Sequence, residues 1–168
     1  MRFERLTPVL LVAAAAVATM LPACSTEECE GNKNSLPLAG FLSSAISPRE
    51  VSIDSLTVFG VGAPGDSLLL NNRSASELYL PFRIDEGETT FVFRYEQEAL
   101  RGITDSVTFR YDIVPYFVSS ACGVVYNYEI KSIDCTRNLI DSVSCPGMKI
   151  TNANIRNINI YFRVQTSE

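Results

Sequence analysis

The sequence predicts an all-β domain, a two-sheet β-sandwich of the Ig-like or Greek-key type with about eight short strands. Three observations predict it. Apolar and polar residues alternate with a period of two from Val51 onward, no window carries a long stripe of period 3.6, and turn-forming clusters separate the apolar runs. The 9 Phe and 7 Tyr supply the bulk that two packed sheets would bury between them.

Each element follows from its own pattern. Leu56 to Val61 and Ser67 to Leu70 are short apolar runs flanking a Pro-Gly-Asp turn at Pro64 to Asp66. Leu78, Leu80 and Phe82 alternate with Glu77, Tyr79 and Pro81, and Pro81 puts this strand at an edge or ends it, because it cannot donate to a ladder. Thr89 to Glu96 places Phe91, Phe93 and Tyr95 on one face. Gln97 to Thr104, with Gly102, closes a hairpin onto Asp105 to Ile113, where Val107, Phe109, Tyr111 and Ile113 share a face opposite Ser106, Thr108, Arg110 and Asp112. Val124, Tyr126, Tyr128 and Ile130 form the next alternation, Leu139 to Val143 a short strand, and Ile158, Ile160, Phe162 and Val164 the last.

The N-terminus reads as an address. Arg2 and Arg5 precede an apolar run from Val9 to Leu21, shorter than the roughly 20 residues a spanning helix needs. Leu21-Pro22-Ala23-Cys24 resembles the bacterial lipobox, with Pro22 an unusual occupant of its place. This implies a signal helix over 1–23 and an acylated Cys24 that tethers the chain to a membrane without a protein span. The competing reading is ordinary cleavage, with Cys24 a disulfide cysteine. Residues 24–35 form a polar tether and 36–168 one β-sandwich domain. The cluster Ser25-Thr26-Glu27-Glu28-Cys29-Glu30 resembles the export signal of surface lipoproteins in Bacteroidota; the alternative is a solvated spacer. The expected location is the outer membrane, on its surface or periplasmic face.

Charge and cysteine usage narrow the chemistry. The chain has 14 basic and 19 acidic residues; losing Arg2, Glu4 and Arg5 with the leader leaves 12 and 18, a net −6. No basic stripe exists to meet a phosphate backbone, so nucleic acid is excluded as a partner. Beyond Cys24, an even number of cysteines in an oxidising compartment predicts two disulfides among Cys29, Cys122, Cys135 and Cys145. Cys29 with Cys122 and Cys135 with Cys145 is one pairing; Cys122 with Cys145 across a hairpin turning near Asp134, and Cys29 with Cys135, is its rival. Zinc is not expected, since these four lack two-residue spacing and the chain has no histidine.

Leu78-Tyr79-Leu80-Pro81-Phe82, Thr104 to Tyr111, Phe117-Val118-Ser119-Ser120-Ala121-Cys122-Gly123 and Asn157 to Phe162 occur in an order that resembles a family of small Bacteroidota lipoproteins of unknown function. The Ser-x-Ala-Cys-Gly segment is the most specific part. The resemblance implies a β fold, an envelope location and a pairing of Cys29 with Cys122. It implies no activity.

Several motifs compete with blander readings. Gly60-Val61-Gly62-Ala63-Pro64-Gly65 matches a dinucleotide fingerprint, but the following Asp66 to Asn72 reads as a strand where that fingerprint needs a helix. The absence of histidine removes Ser-His-Asp, Cys-His and imidazole-metal chemistry together. Carboxylate-pair hydrolysis stays open through Glu77, Glu96, Glu98, Asp112 and Glu129, all on predicted outward faces. Asp85, Glu86 and Glu88 are calcium candidates, as are Asp66, Asn71 and Asn72, without the spacing of a loop that wraps the ion. Four Asp-Ser-aliphatic frames make Ser55, Ser67, Ser106 and Ser142 candidates for O-glycosylation; strand-initiating turns explain the same frames. Glycan binding would require Tyr79, Tyr95, Tyr116 and Tyr126 to be exposed. The expectation is a non-catalytic, cofactor-free, lipid-anchored module that binds or scaffolds another envelope protein through a sheet face or edge.

Overall fold

The computed structural model describes residues 35–62, 66–120, 122–153 and 155–164. The strands in chain order are β1 (Leu38–Ser43), β2 (Ile53–Gly60), β3 (Leu68–Ala75), β4 (Glu77–Tyr79), β5 (Glu88–Tyr95), β6 (Thr104–Ser119), β7 (Gly123–Cys135), β8 (Ile140–Ser144), β9 (Lys149–Ile150) and β10 (Arg156–Phe162). A single 3₁₀ turn at Glu98–Leu100 is the only helical element among the described residues. One sheet has the order β4-β1-β10-β8 and the other β3-β2-β5-β6-β7-β9, and neither closes into a barrel. The fold is a β-sandwich, as the alternation predicts.

One apolar core joins the sheets. Phe41 on β1 meets Phe93 on β5 edge-on at 6.5 Å and Phe162 on β10 at 5.2 Å, so the contact crosses between the layers. Val107, Phe109 and Tyr111 on β6 point into it, as do Ile158, Ile160 and Phe162 on β10. At one end Phe82 stacks on Tyr111 at 4.7 Å and lies 5.0 Å from Phe109 and 5.3 Å from Tyr128. Phe82 sits on the crossing from β4 to β5, and a hydrogen-bonded ring holds that crossing. The Arg83 amide donates to Thr89 Oγ1 (3.0 Å), Thr89 and Tyr111 hydroxyls meet at 2.5 Å, and Tyr111 donates to the Arg83 carbonyl at 2.9 Å. Every buried polar group of the ring is thereby satisfied.

Three differences from the sequence reading have physical causes. β1 is a strand that the alternation does not announce, because it lies between β4 and β10 and buries Ala39, Gly40, Phe41 and Ser43 in a nearly continuous run. It pairs with β10 in parallel, so that sheet is mixed. β9 has two residues and no pattern to read. β6 and β7 run well past their predicted ends, to Ser119 and from Gly123 to Cys135, and form one long hairpin. Pro81 follows the end of β4, which is an edge strand as predicted. The signal and lipidation residues, Cys24 included, lie outside the described residues.

Candidate functional site

Most of the described surface carboxylates face a cation. Asp112 pairs with Lys131 at 2.7 Å, Glu129 with Lys149 at 3.9 Å, and Glu96 with Arg94 at 2.7 Å. Arg83 reaches Asp85 at 3.2 Å and Glu86 at 2.7 Å, while Arg110 takes Glu88 at 2.6 Å and also Asp134. The calcium candidates Asp85, Glu86 and Glu88 are thus divided between two arginines rather than gathered. Asp66 Oδ1 accepts the Gly62 amide at 3.3 Å in a turn, and the Asn72 amide, within β3, donates to Thr57 Oγ1 on β2 at 3.0 Å, so neither is arranged around an ion. Gly62 has φ +78 in that turn, and the next element is strand β3, not a helix. The dinucleotide pattern therefore lies between two antiparallel strands, with no helix after it.

The strongest electrostatic feature is one that no motif announces. Asp105, 1% exposed at the start of β6, receives five donors. Thr136 Oγ1 and the Asn138 amide donate to Oδ1 at 2.8 Å each; the Tyr95 hydroxyl and the Leu139 and Ile140 amides donate to Oδ2 at 2.8, 2.8 and 2.9 Å. Burial pushes this carboxyl up, but the backbone amides and the Thr136 hydroxyl outweigh it and hold it below the usual range. Tyr95 is pushed in the opposite direction by its burial and by Asp105 beside it. Asp105 pins residues 136–140, where the chain crosses from β7 to β8, onto the β5–β6 end of the other sheet. With all its lone pairs engaged it is a structural anion. The Asp105-Ser106 frame is therefore not a surface turn: Ser106 lies within β6, half-buried, and its amide bonds Thr136. Ser67 is exposed; Ser55 and Ser142 are half-buried within β2 and β8.

The cysteine reading is corrected in part. Cys135 and Cys145 are free. The Met148 amide bonds the Cys145 carbonyl and the Ile130 amide bonds the Met148 carbonyl, which sets Cys145 near the level of Ile130 on β7. Cys135 is five residues further along that strand, about 16 Å at 3.3 Å per residue, too far for a disulfide, whose Cα atoms lie within about 7 Å. The rival pairing fails on the same free thiols, and the chain turns at Ser119 to Gly123, not near Asp134. Burial pushes both thiols up. Cys122 is disulfide-bonded, with a partner outside the described residues. It occupies the hairpin turn: its amide donates to Ser119 Oγ at 3.1 Å, and Gly123 follows at φ +75, a conformation a side chain would strain.

Among the described residues two surfaces remain without an internal partner. Among the described edges β4, β8 and β9 have 3, 5 and 2 residues, whereas β3 has 8. β3 carries one charge, Arg73, and exposes Leu68 at 57%. Its register against β2 slips three times, which twists the strand yet leaves its outer side unpaired. The second surface is the end of the β6–β7 hairpin. β5 pairs with β6 no further than Arg110, and β9 touches β7 only at Tyr128 and Glu129. Beyond these points no third strand pairs with the two, and Tyr116, Phe117, Val118 and Val124 are exposed. The alternation shifts by one here: Val125 is buried and Val124, predicted to face inward, is out. Of the tyrosines a glycan platform would need, Tyr79 and Tyr116 are exposed, Tyr126 is half-buried and Tyr95 is fully buried, so the four do not make one surface.

No curated protein and no solved structure matches this chain. A family model does match, over residues 55–162, from β2 through β10 and including the Asp105 cluster and the whole hairpin. On that match, which covers more than half of the sequence, the chain belongs to the family of unknown function DUF6452.

Proposed function

We propose that this protein is a non-catalytic, lipid-anchored lipoprotein of the bacterial outer membrane, of the small Bacteroidota kind, that binds or scaffolds another envelope protein. The observation that carries the binding reading is the outer side of β3, the longest free edge in the described body and nearly uncharged. An extended segment of a partner adds to such an edge through main-chain hydrogen bonds, with flanking side chains setting specificity. Supporting a non-catalytic role, Asp105, the one buried carboxylate described, is spent on structure, and Glu88, Glu96, Asp112 and Glu129 are paired with cations. The lipobox at Leu21 to Cys24 supports the anchor, and the acidic run after it supports export to the surface. Cys122 pairs with Cys29 in this reading. Once Cys24 is acylated and Cys135 and Cys145 are free, Cys29 is the remaining thiol in the chain.

Two measurements test the proposal. Radioactive fatty acid labels the protein, and Cys24→Ala abolishes the label; a label that persists removes the anchor. A photoreactive amino acid at Leu68, exposed on β3, crosslinks one abundant envelope protein in living cells, whereas the same group at Ala99, on the 3₁₀ turn, does not. Equal yields at both places, or none at Leu68, overturn the edge as the interface.

A further inference from the structure

The free end of the β6–β7 hairpin has no role in the reading above. From Ile113 to Tyr128 the chain runs sixteen residues without a single Asp, Glu, Lys or Arg, in a protein that is 20% charged. Tyr116 is 56% exposed, Phe117 64%, Val118 39% and Val124 49%, and no third strand pairs with the two that carry them, although Val125 on the same ribbon is buried. Apolar side chains are therefore concentrated where nothing in the described fold buries them.

We infer that this hairpin end lies in the boundary between lipid headgroups and acyl chains, beside the anchor, and holds the sandwich upright on the membrane. The inference rests on the reading of Cys24 as the lipidated residue. Three observations favour a lipid surface as the occupant. The first is composition. Aromatic and β-branched residues without charge suit the interface, where Tyr and Phe are at home, and a neutral tip escapes the repulsion that a net −6 body meets from anionic headgroups. The second is depth. From Tyr116 to the turn at Ser119 is three residues, about 10 Å of strand, which matches the roughly 5–10 Å to which interfacial elements sink. The first charges behind the tip are Asp112 and Lys131, paired at 2.7 Å, and Glu129 with Lys149. They form a polar collar on the water side.

The third observation is where the chain enters. Ser35, 2% exposed, donates to Asn127 Oδ1 on β7 at 3.3 Å, so the body begins at the hairpin. Cys24 lies eleven residues earlier, within about 40 Å of extended chain. Cys122, in the turn itself, is disulfide-bonded. If its partner is Cys29, five residues separate the turn from the acylated cysteine, at most about 18 Å. The same geometry sends the 3₁₀ turn at Glu98–Leu100, at the other end of β6, away from the membrane and leaves β3 facing sideways toward neighbouring proteins.

The chain contains no Trp, which allows a clean test in the full lipidated protein. Phe117→Trp places the sole indole on the tip and Ala99→Trp places it at the far end. Each variant is reconstituted into phosphatidylcholine vesicles with plain or brominated acyl chains, and flotation is measured alongside. The account expects both variants to float, the tip indole to lose about half its emission or more to bromine, and the far-end indole to lose less than about a tenth. Flotation with an unquenched tip indole overturns the inference and leaves the anchor intact. Failure to float removes the anchor and the inference with it. A tip indole shielded from aqueous iodide in a vesicle-free oligomer assigns the tip to a second copy and also overturns it. Should Phe117→Trp shift the melting transition, Val124→Trp reports on the opposite strand of the same tip.

Discussion

Replacing Asp105 by Asn preserves the shape of the side chain while removing its charge, and the arrangement around it fixes the consequence. Oδ1 accepts from Thr136 and Asn138, and Oδ2 from Tyr95, Leu139 and Ile140. Whichever oxygen becomes the amide nitrogen, at least one backbone N–H then faces another donor. An unsatisfied buried donor costs about 1–3 kcal/mol, and the remaining bonds lose their charge-assisted strength, so a total of about 3 kcal/mol is expected. Against a stability of roughly 5–15 kcal/mol this is a large fraction, and it corresponds to a Tm drop of about 10 °C. The pH dependence carries a sign. Because the folded carboxyl sits below its ordinary value of about 3.9, its contribution is complete above that value and disappears as pH falls through the lower folded one. Urea unfolding of wild type and Asp105→Asn at pH 7 should therefore differ by about 3 kcal/mol, and the gap should narrow below about pH 4. A gap under about 0.5 kcal/mol at pH 7, or one that stays constant into acid, would refute the role given to this residue.

Other perturbations follow from the same contacts. Tyr95→Phe removes one of the five donors to Asp105 without opening a cavity, and should cost about 1–2 kcal/mol in urea melts; no loss would mean the hydroxyl is not bonded in solution. Phe82→Ala empties the centre of the aromatic stack with Tyr111, Phe109 and Tyr128 and should cost about 3–5 kcal/mol. A loss under about 1 kcal/mol would show that the crossing segment does not pack there. Cys145, 4% exposed with its thiol pushed up by burial, should resist a thiol reagent in the native protein. In denaturant without reductant, two thiols per chain should react; none would mean that Cys135 and Cys145 are paired.

Much of this fold is legible in the sequence because a half-covered sheet writes its burial as alternation. Val107, Phe109 and Tyr111, and Ile158, Ile160 and Phe162, are all inward as their spacing requires. β1 escapes that signal because a strand paired on both sides with little outward polar surface reads as an apolar run with a glycine in it. The most consequential miss, Asp105, was nonetheless visible. It begins the predicted strand and shares parity with Val107, Phe109 and Tyr111, which places an acid on the inward face. An inward acid needs donors, and Thr136 and the amides after it supply them. Nothing local announces that partnership, since it spans more than thirty residues and depends on the crossing between sheets. The hairpin tip was half visible: its lack of charge is plain in the sequence, whereas the exchange of Val124 for Val125 at the inward position is not.

One covalent map joins an acylated first residue, a tether and a membrane-facing hairpin, and non-reducing tryptic mass spectrometry of the protein from membranes reads that map at once. The predicted species is a peptide from Cys24 to Lys33, bearing acyl chains on Cys24, joined through Cys29 to the peptide from Tyr111 to Lys131 that contains Cys122. Reduction should separate the two and leave the lipid in place. An unmodified Cys24, a mature chain starting elsewhere, or Cys29 linked to Cys135 or Cys145 would contradict it.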